Sequence, residues 1–438
     1  MKKILTGIIA AFLAVCMVFS AVGCTKEREK TGLGYQIEQE KYLFGMGEVP
    51  ADVAGGATDS RVSMEMVADL CGELGVKSFR IWMHLTTICE RDAGSDTVRL
   101  KADAVEKYQQ FIDLLKENGV THITAMNHYY LYPVGYSASA GCVVPDPNLE
   151  FEEYVRFMEM LRECYRLLAE AFPDVTYWEP SNETNGANGR FVAMNGFSEA
   201  EDADNSQYLF SEDDLAYITA DMCWYANAGI KASNPDACTV LPGMIFNTNG
   251  QGAYATALFL QNIYDQIDSR YLPSGEEYAD INPDNYFQVL NWHPYVGSWG
   301  MPDDAWVQTN KDIYAVAERN GDDGKKVFLT ELGWQDQNVP ENQDLIARAF
   351  IATIDLIKEE LPWVETFHTF RMFNWDTAPL EPDSIERFFG LFTSPNSVQG
   401  ASPKPVALAL FHYFNGEEAD ASGLYKYAAE ASTAAAIS

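Results

Sequence analysis

The chain has no Cys-x-x-Cys pair and no His-Glu-x-x-His stretch, so nothing in it supports a structural zinc site or a zincin-type metal centre. It is also short of positive charge: 30 Lys and Arg stand against 64 Asp and Glu, a formal net charge of −34. Such a surface repels nucleic acid, argues weakly against anionic polymers as substrates and is neutral towards uncharged ones. The acidic residues are spread along the chain, so for most of them a solvated face is the simpler reading. The apolar run from Ile4 to Ser20 is too short and wrongly flanked for a membrane span.

That run reads instead as the core of a targeting segment. Lys2 and Lys3 precede it, and it closes in "AVGC". Small residues before Cys24 resemble the bacterial lipobox, in which the cysteine is lipidated and becomes the mature N-terminus; the alternative is an ordinary signal peptide with a chance cysteine. The expectation is a signal over residues 1–23, lipid on Cys24 and a polar tether over 24–41, which spans at most about 60 Å when extended. The protein is then extracytoplasmic and held to the bacterial cell membrane through the lipid alone. Cys71, Cys89, Cys142, Cys164, Cys223 and Cys238 remain, an even number that permits disulfides outside the cytoplasm without forming a compact framework. Cys89 and Cys142 fall in neighbouring loops of the fold derived below and are the one pair expected to bridge.

What the chain does have is an unbroken alternation of strand-like and helix-like stretches. The strands are expected at 42–47 (YLFGMG), 77–82, 121–127, 174–180, 238–244, 286–292, 325–331 and 364–370. The helices that follow them are expected near 61–75, 103–118, 150–172, 212–234, 252–266, 303–320, 341–360 and 403–414. Repeated βα alternation implies a parallel sheet, and eight units imply an α/β fold of the closed (β/α)8 TIM-barrel type. An open doubly wound sheet would carry a Gly-x-Gly-x-x-Gly turn after its first strand, and Gly45 and Gly47 are not followed by one. A single domain over 42–416 is expected, with a weakly ordered tail, rich in Ala, Ser and Glu, over 417–438, a short packed helix there being the alternative.

In such a barrel the working face lies at the C-terminal ends of the strands. Those ends carry Arg80 and Trp82, "MNHYY" with His128, "WEPSNETN" with Asn182 and Glu183, "NWHPY" with His293 and Tyr295, "TELGW" with Glu331, and "FRMFNWD" with Trp375. Any one of them has a bland reading: a surface ion pair, a structural histidine, a loop cap, a packed ring. All of them at one pole is the informative observation. Aromatic residues at that pole (Trp82, Tyr129, Tyr130, Tyr132, Trp299, Trp334, Trp375) offer stacking faces for sugar rings, about half of them expected to be packing residues instead.

This set resembles the clan A glycoside hydrolases, family five in particular, over about residues 42–415. The motifs that carry the resemblance are Asn182-Glu183 after strand four, His293-x-Tyr295 after strand six and Thr330-Glu331-x-Gly333 after strand seven. The segment "FFGLFTSPNSVQGASPKPVALALFHYF" resembles family thirty-nine members. Thr184 follows Asn-Glu where proline is frequent in the family. The resemblance implies retaining hydrolysis of β-glycosidic bonds in a poly- or oligosaccharide, with Glu183 as acid/base and Glu331 as nucleophile. Arg80 and Tyr295 would keep Glu331 ionised, His293 would orient Glu183, Asn182 would bond the sugar 2-hydroxyl, and His128 and Trp375 would meet the same sugar. It implies no cofactor and no metal. The competing reading is an extracytoplasmic carbohydrate-binding lipoprotein without catalysis. That class shows two lobes and a hinge, against which the unbroken eight units speak. A barrel that binds but no longer cleaves would have lost a member of the set, and none is missing. The substrate stays open among β-glucan, β-mannan, xylan and a bacterial exopolysaccharide.

Overall fold

A computed structural model describes residues 44–429 except 49, 55–60, 93–94, 128–135, 138–140, 187–190, 194–209, 248–253, 269–281, 297–299, 338–339 and 376–383. The targeting segment, Cys24 and the tether lie outside the described residues.

The expected series is present. The barrel strands are β1 (Phe44–Glu48), β2 (Ser78–Trp82), β3 (His122–Met126), β4 (Tyr177–Glu179), β5 (Cys238–Thr239, continued by Met244–Ile245), β6 (Val289–His293), β7 (Lys326–Leu332) and β8 (Val364–Thr369). The helices between and after them are α1 (Met64–Leu74), α2 (Ala102–Glu117), α3 (Phe151–Ala171), α4 (Glu212–Ser233), α5 (Thr256–Asp268), α6 (Asp304–Arg319), α7 (Pro340–Glu360) and α8 (Pro405–Asn415). Local chemistry sets their ends. Ser63 caps α1 by accepting from Met66 N, and Gly75 closes it in the left-handed region at φ 71°. Ser211 and Asp214 form a capping box on α4. Pro405 opens α8, where its missing N–H costs nothing.

All barrel pairings are parallel, and β1 closes onto β8 through Gly45 opposite His368. The fifth strand departs from the expected continuous 238–244. Cys238–Thr239 pairs with β4, while Met244–Ile245 pairs with β6. Between them Pro242 has no N–H to give a ladder. Single bridges, Val240 to Val289 and Asn182 to Gly243, complete the ring. The sheet therefore closes, with its seam running through β5.

Strands buried on both faces, as β1, β3, β6 and β8 are, belong to a sheet covered by helices outside and filled inside. Tyr177, Val240, Val289 and Phe328, from β4 to β7, form a small apolar cluster distinct from the main core. Inside the barrel Ser78 Oγ meets His368 Nε2 at 2.8 Å. Gly45 makes room for that ring, since a Cβ there would stand 2.2 Å from His368 Cδ2.

Two expectations need correction. Cys89 is a free thiol, buried against Cys164, so it is not bridged to Cys142. The first part of the tail is packed. Leu424 is fully buried, Ala401 N donates to Tyr427 O at 3.0 Å, and Lys426 and Tyr427 both bond to Asp69 on α1. An Ala-rich composition hid one leucine and a charged clamp. Residues 430–438 lie outside the described residues.

Glu365, at the N-terminal end of β8 and 4% exposed, pays no visible role in this architecture: Oε2 has no hydrogen-bond partner. Burial raises its pKa from 4.5 to about 8, with Lys326 opposing weakly. Between these values the unfolded chain releases a proton that the folded chain keeps, so stability falls as pH rises through this window, by roughly 1.4 kcal/mol per pH unit at most. Glu365→Gln is expected to match the wild type near pH 4.5 and to exceed it increasingly up to pH 8. Urea unfolding of both proteins across that range checks it, and a constant difference would refute the assignment.

Candidate active site

The strand tips bring Arg80, Asn182, Glu183, His293, Tyr295 and Glu331 into one cluster. Arg80, the third residue of β2, is the hub and is 1% exposed. Its Nη1 donates to Glu331 Oε1 at 2.7 Å and its Nη2 to Asn182 Oδ1 at 2.8 Å. Its Nε and Nη2 donate to Glu179 Oε2 and Oε1, both at 2.8 Å. Burial disfavours the charge, but Glu179 and Glu331 outweigh it and hold the guanidinium firmly protonated.

Glu179, the second residue of "WEPSNETN", is a further member of the site that no sequence pattern marks. It ends β4 fully buried, and its Oε1 also accepts from Gly243 N and Asn291 Nδ2, each at 2.9 Å. A strand-terminal glutamate four residues before Glu183 gave no periodic signal. What distinguishes it is a buried carboxylate with a buried arginine to match.

Glu331, near the end of β7, accepts from Arg80 and from Tyr295 Oη, the latter at 3.1 Å. Burial, followed by the charges of Glu331 and Glu183, pushes the Tyr295 phenol well above its usual range, so it stays a donor. Glu183 sits just past β4 with φ 52°, a conformation that non-glycine residues rarely adopt. It is held there by Glu183 N donating to Gly243 O at 2.6 Å and Gly186 N donating to Glu183 O at 3.0 Å. Only glycine fits at 243, where a Cβ would stand 2.1 Å from His293 Nε2.

His293 joins the two acids. Its Nδ1 lies 3.2 Å from Glu183 Oε1 and 3.7 Å from Glu331 Oε2, and its Nε2 lies 3.1 Å from Thr330 Oγ1. The direction of these bonds follows from a chain of constraints. Ionised Glu179 only accepts, so Asn291 turns its NH2 to Glu179 and its Oδ1 to Thr330. The Thr330 hydroxyl then donates to Asn291 Oδ1 at 2.9 Å, which leaves Thr330 Oγ1 to accept from His293 Nε2–H. A neutral His293 consequently presents a lone pair at Nδ1, and the proton in the contact with Glu183 is the one carried by Glu183. Glu331, by contrast, meets only donors in Arg80 Nη1 and Tyr295 Oη.

Glu183, Glu331 and His293 each offer an atom within 4.8 Å of the others'. That spacing would also suit a cation, but Arg80 already supplies the positive charge on the Glu331 side. Of the two acids, Glu183 exposes 16% of its side chain and Glu331 7%, so solvent reaches Glu183 more readily.

Of the other expected residues, His128, Tyr129, Tyr130, Tyr132 and Trp299 lie outside the described residues. Trp82 is half-buried at the mouth, 6.1 Å from Phe370. Trp334 is a packing residue: it is 2% exposed, donates Nε1–H to Gly300 O at 2.8 Å and meets Phe350 edge-on. Trp375 is 5% exposed, with the Arg371 guanidinium 3.2 Å from its ring centroid, so that face is not open to a sugar.

No protein-family model and no curated protein matches the chain. Solved structures do. A xyloglucan-specific endo-β-1,4-glucanase of glycoside hydrolase family five from a metagenomic library, solved with cellotriose, superposes with TM-score 0.54 at 15% identity, covering 85% of this chain and 96% of that one. A family one β-glucosidase from Thermotoga maritima gives TM-score 0.52 at 15% identity over 86% of this chain and 98% of that one. A family five subfamily eighteen protein from Streptomyces cattleya, solved with Manβ1-4GlcNAc, gives TM-score 0.54 at 15% identity over 87% and 82%. At this identity the likeness establishes the (β/α)8 barrel of these glycoside hydrolases as the fold of this chain.

Arg80→Met leaves Glu179 buried without its cation and is expected to destabilise the protein by roughly 3–5 kcal/mol. Arg80→Met combined with Glu179→Gln removes both charges and should recover most of that loss. Chemical denaturation of the wild type, both single variants and the double variant measures the coupling; simple additivity would mean that the pair does not interact.

Proposed function

We propose that the protein is a retaining glycoside hydrolase that cleaves β-glycosidic bonds in a poly- or oligosaccharide. The observation that carries this is the pair Glu183 and Glu331, with carboxylate oxygens within 4.8 Å of one another at the barrel mouth. Retaining enzymes hold their two carboxyl groups about 5–5.5 Å apart, whereas inverting enzymes leave about 6.5–9.5 Å for a water.

In this reading Glu331, kept ionised by Arg80 and Tyr295, attacks the anomeric carbon. Its new C–O bond forms as the glycosidic C–O bond breaks, and the leaving oxygen takes the proton of Glu183. Glu183, now a base, removes a proton from water; the water oxygen attacks the same carbon, and Glu331 departs as carboxylate. His293 fixes the Glu183 carboxyl through Nδ1, a positioning role. Asn182, oriented by Arg80, faces the sugar 2-hydroxyl, and His128 meets the same sugar.

The two acids should fail differently. Glu331→Ala removes the nucleophile and should abolish turnover of every substrate. Glu183→Ala is expected to cost on the order of 10²–10⁴-fold with ordinary leaving groups. With an aryl glycoside whose leaving group needs no protonation, Glu183→Ala should release a burst of phenol and accumulate a glycosyl-enzyme visible by intact-protein mass spectrometry. Inverted anomeric configuration in the first product, read by NMR, would sink the retaining mechanism, and full activity of Glu331→Ala would sink the site.

The lipid anchor belongs to the same proposal, placing the barrel outside the membrane on a short tether where polymeric glycans are met. Cys24→Ser is expected to move the protein from the detergent-extracted membrane fraction to the soluble one; unchanged partitioning would remove the anchor.

A further inference from the structure

Arg371 lies two residues past the end of β8, 3% exposed, at the same pole as the acids. Its guanidinium carbon stands 3.2 Å from the Trp375 ring centroid, 4.5 Å from that of Phe370 and 5.4 Å from that of Trp82. Burial pulls its pKa below the ordinary arginine value; Glu48, Glu386, Glu331 and Tyr295 oppose this through space. Phe370, one of the rings it stacks on, lies 6.4 Å from the ring of Tyr295, which donates to Glu331, so the cation stands beside the acids. Among the described residues its Nε has no hydrogen-bond partner, and neither has Nε1 of Trp375, the ring it stacks on. Two buried donors are thus unsatisfied side by side.

A purely structural role explains only part of this. Stacking on aromatic rings offsets charge through the face of the guanidinium. It leaves the Nε–H, which lies in the plane, without an acceptor, and a buried donor left so is costly. Of the carboxylates that act on it through space, Glu48 accepts through Oε2 from Met372 N at 3.2 Å and Phe373 N at 3.4 Å, and Glu331 through Oε1 from Arg80. What matches the vacant edge is a planar or tetrahedral oxyanion arriving from the mouth.

We propose that the sugar bound at this site carries an anionic oxygen group, the carboxylate of a uronic acid or a sulfate ester, and that Arg371 receives it with the Trp375 indole N–H as second donor. This rests on the glycoside hydrolase reading and narrows its substrate class. It also reverses the expectation drawn from bulk charge. The net −34 acts over distances at which salt screens it, beyond about 8 Å, whereas Arg371 acts in contact with the ligand.

The test compares kcat/KM for aryl β-glycosides in matched sets: gluco, galacto and manno configurations, each as the neutral sugar, its uronide and its 6-sulfate. The wild type is expected to prefer an acidic member over its neutral parent. In Arg371→Met that preference should fall roughly 10- to 100-fold, the range of a lost charged hydrogen bond. Arg371→Lys, which keeps the charge but not the fork, should fall between. A structural role would lower acidic and neutral substrates in parallel and leave the ratio unmoved. If Arg371→Met does not fold, binding of free uronates and sugar sulfates against neutral sugars to Glu331→Gln, by calorimetry at low and high salt, reads the same preference. Preference for uronides or for sulfates assigns the source of the oxyanion. Cleavage of neutral glycosides with no acidic preference, or a preference that survives Arg371→Met, overturns the inference and leaves the enzyme reading intact. No cleavage and no binding of any glycoside overturns both.

Discussion

One guanidinium divided between two carboxylates is the constraint on which this molecule turns. Arg80 comes from β2, Glu179 from β4 and Glu331 from β7, three strands no two of which pair with each other; their side chains meet across the interior because the sheet is closed. A buried cation with one carboxylate would be neutral; with two it leaves a net negative charge, spread over Glu179 and Glu331. Glu179 is wholly enclosed and has four donors, so its position is fixed. Glu331, at the surface of the same network, is the one free to react. The same buried carboxylate orders the hydrogen bonds that run through Asn291 and Thr330 to His293, whose Nδ1 meets Glu183. Both acids are therefore oriented from a single point.

Much of this architecture is legible in the sequence because both of its periodicities are strong. Apolar runs such as VETFHTF and amphipathic stretches such as Phe151–Ala171 leave little ambiguity once they alternate. The pole is legible too, because strand ends are where unlike polar residues have no structural reason to gather. β5 is where the reading slips. Leu241, Pro242 and Gly243 look like the continuation of a strand in one dimension. In three they are the place where the strand leaves β4 and joins β6. The tail misleads for a related reason: composition averages over residues, while Leu424 and Tyr427 act singly.

Glu179 and Arg371 were the hardest residues to see, and for opposite reasons. Glu179 stands among aromatic and proline neighbours, in a position where a glutamate has many ordinary uses; its meaning lies entirely in Arg80, 99 positions away. Arg371 lies in a segment that draws the eye to its aromatics. Those rings suggested sugar stacking, and one of them instead carries the arginine. A sequence shows which residues share a pole but not which ring face is already occupied.

The break in β5 also bears on how the protein comes to be competent. Gly243 sits in that break. It bridges to Asn182, holds the Glu183 backbone in its left-handed turn and leaves room for His293. Glu183 therefore owes its conformation to the weakest-paired part of the ring and not to its own strand. A chain in which the first half of the barrel has not yet met the second has every chemical group of the site and none of its geometry. Closure of the ring and the placing of Glu183 beside Glu331 therefore depend on the same contacts.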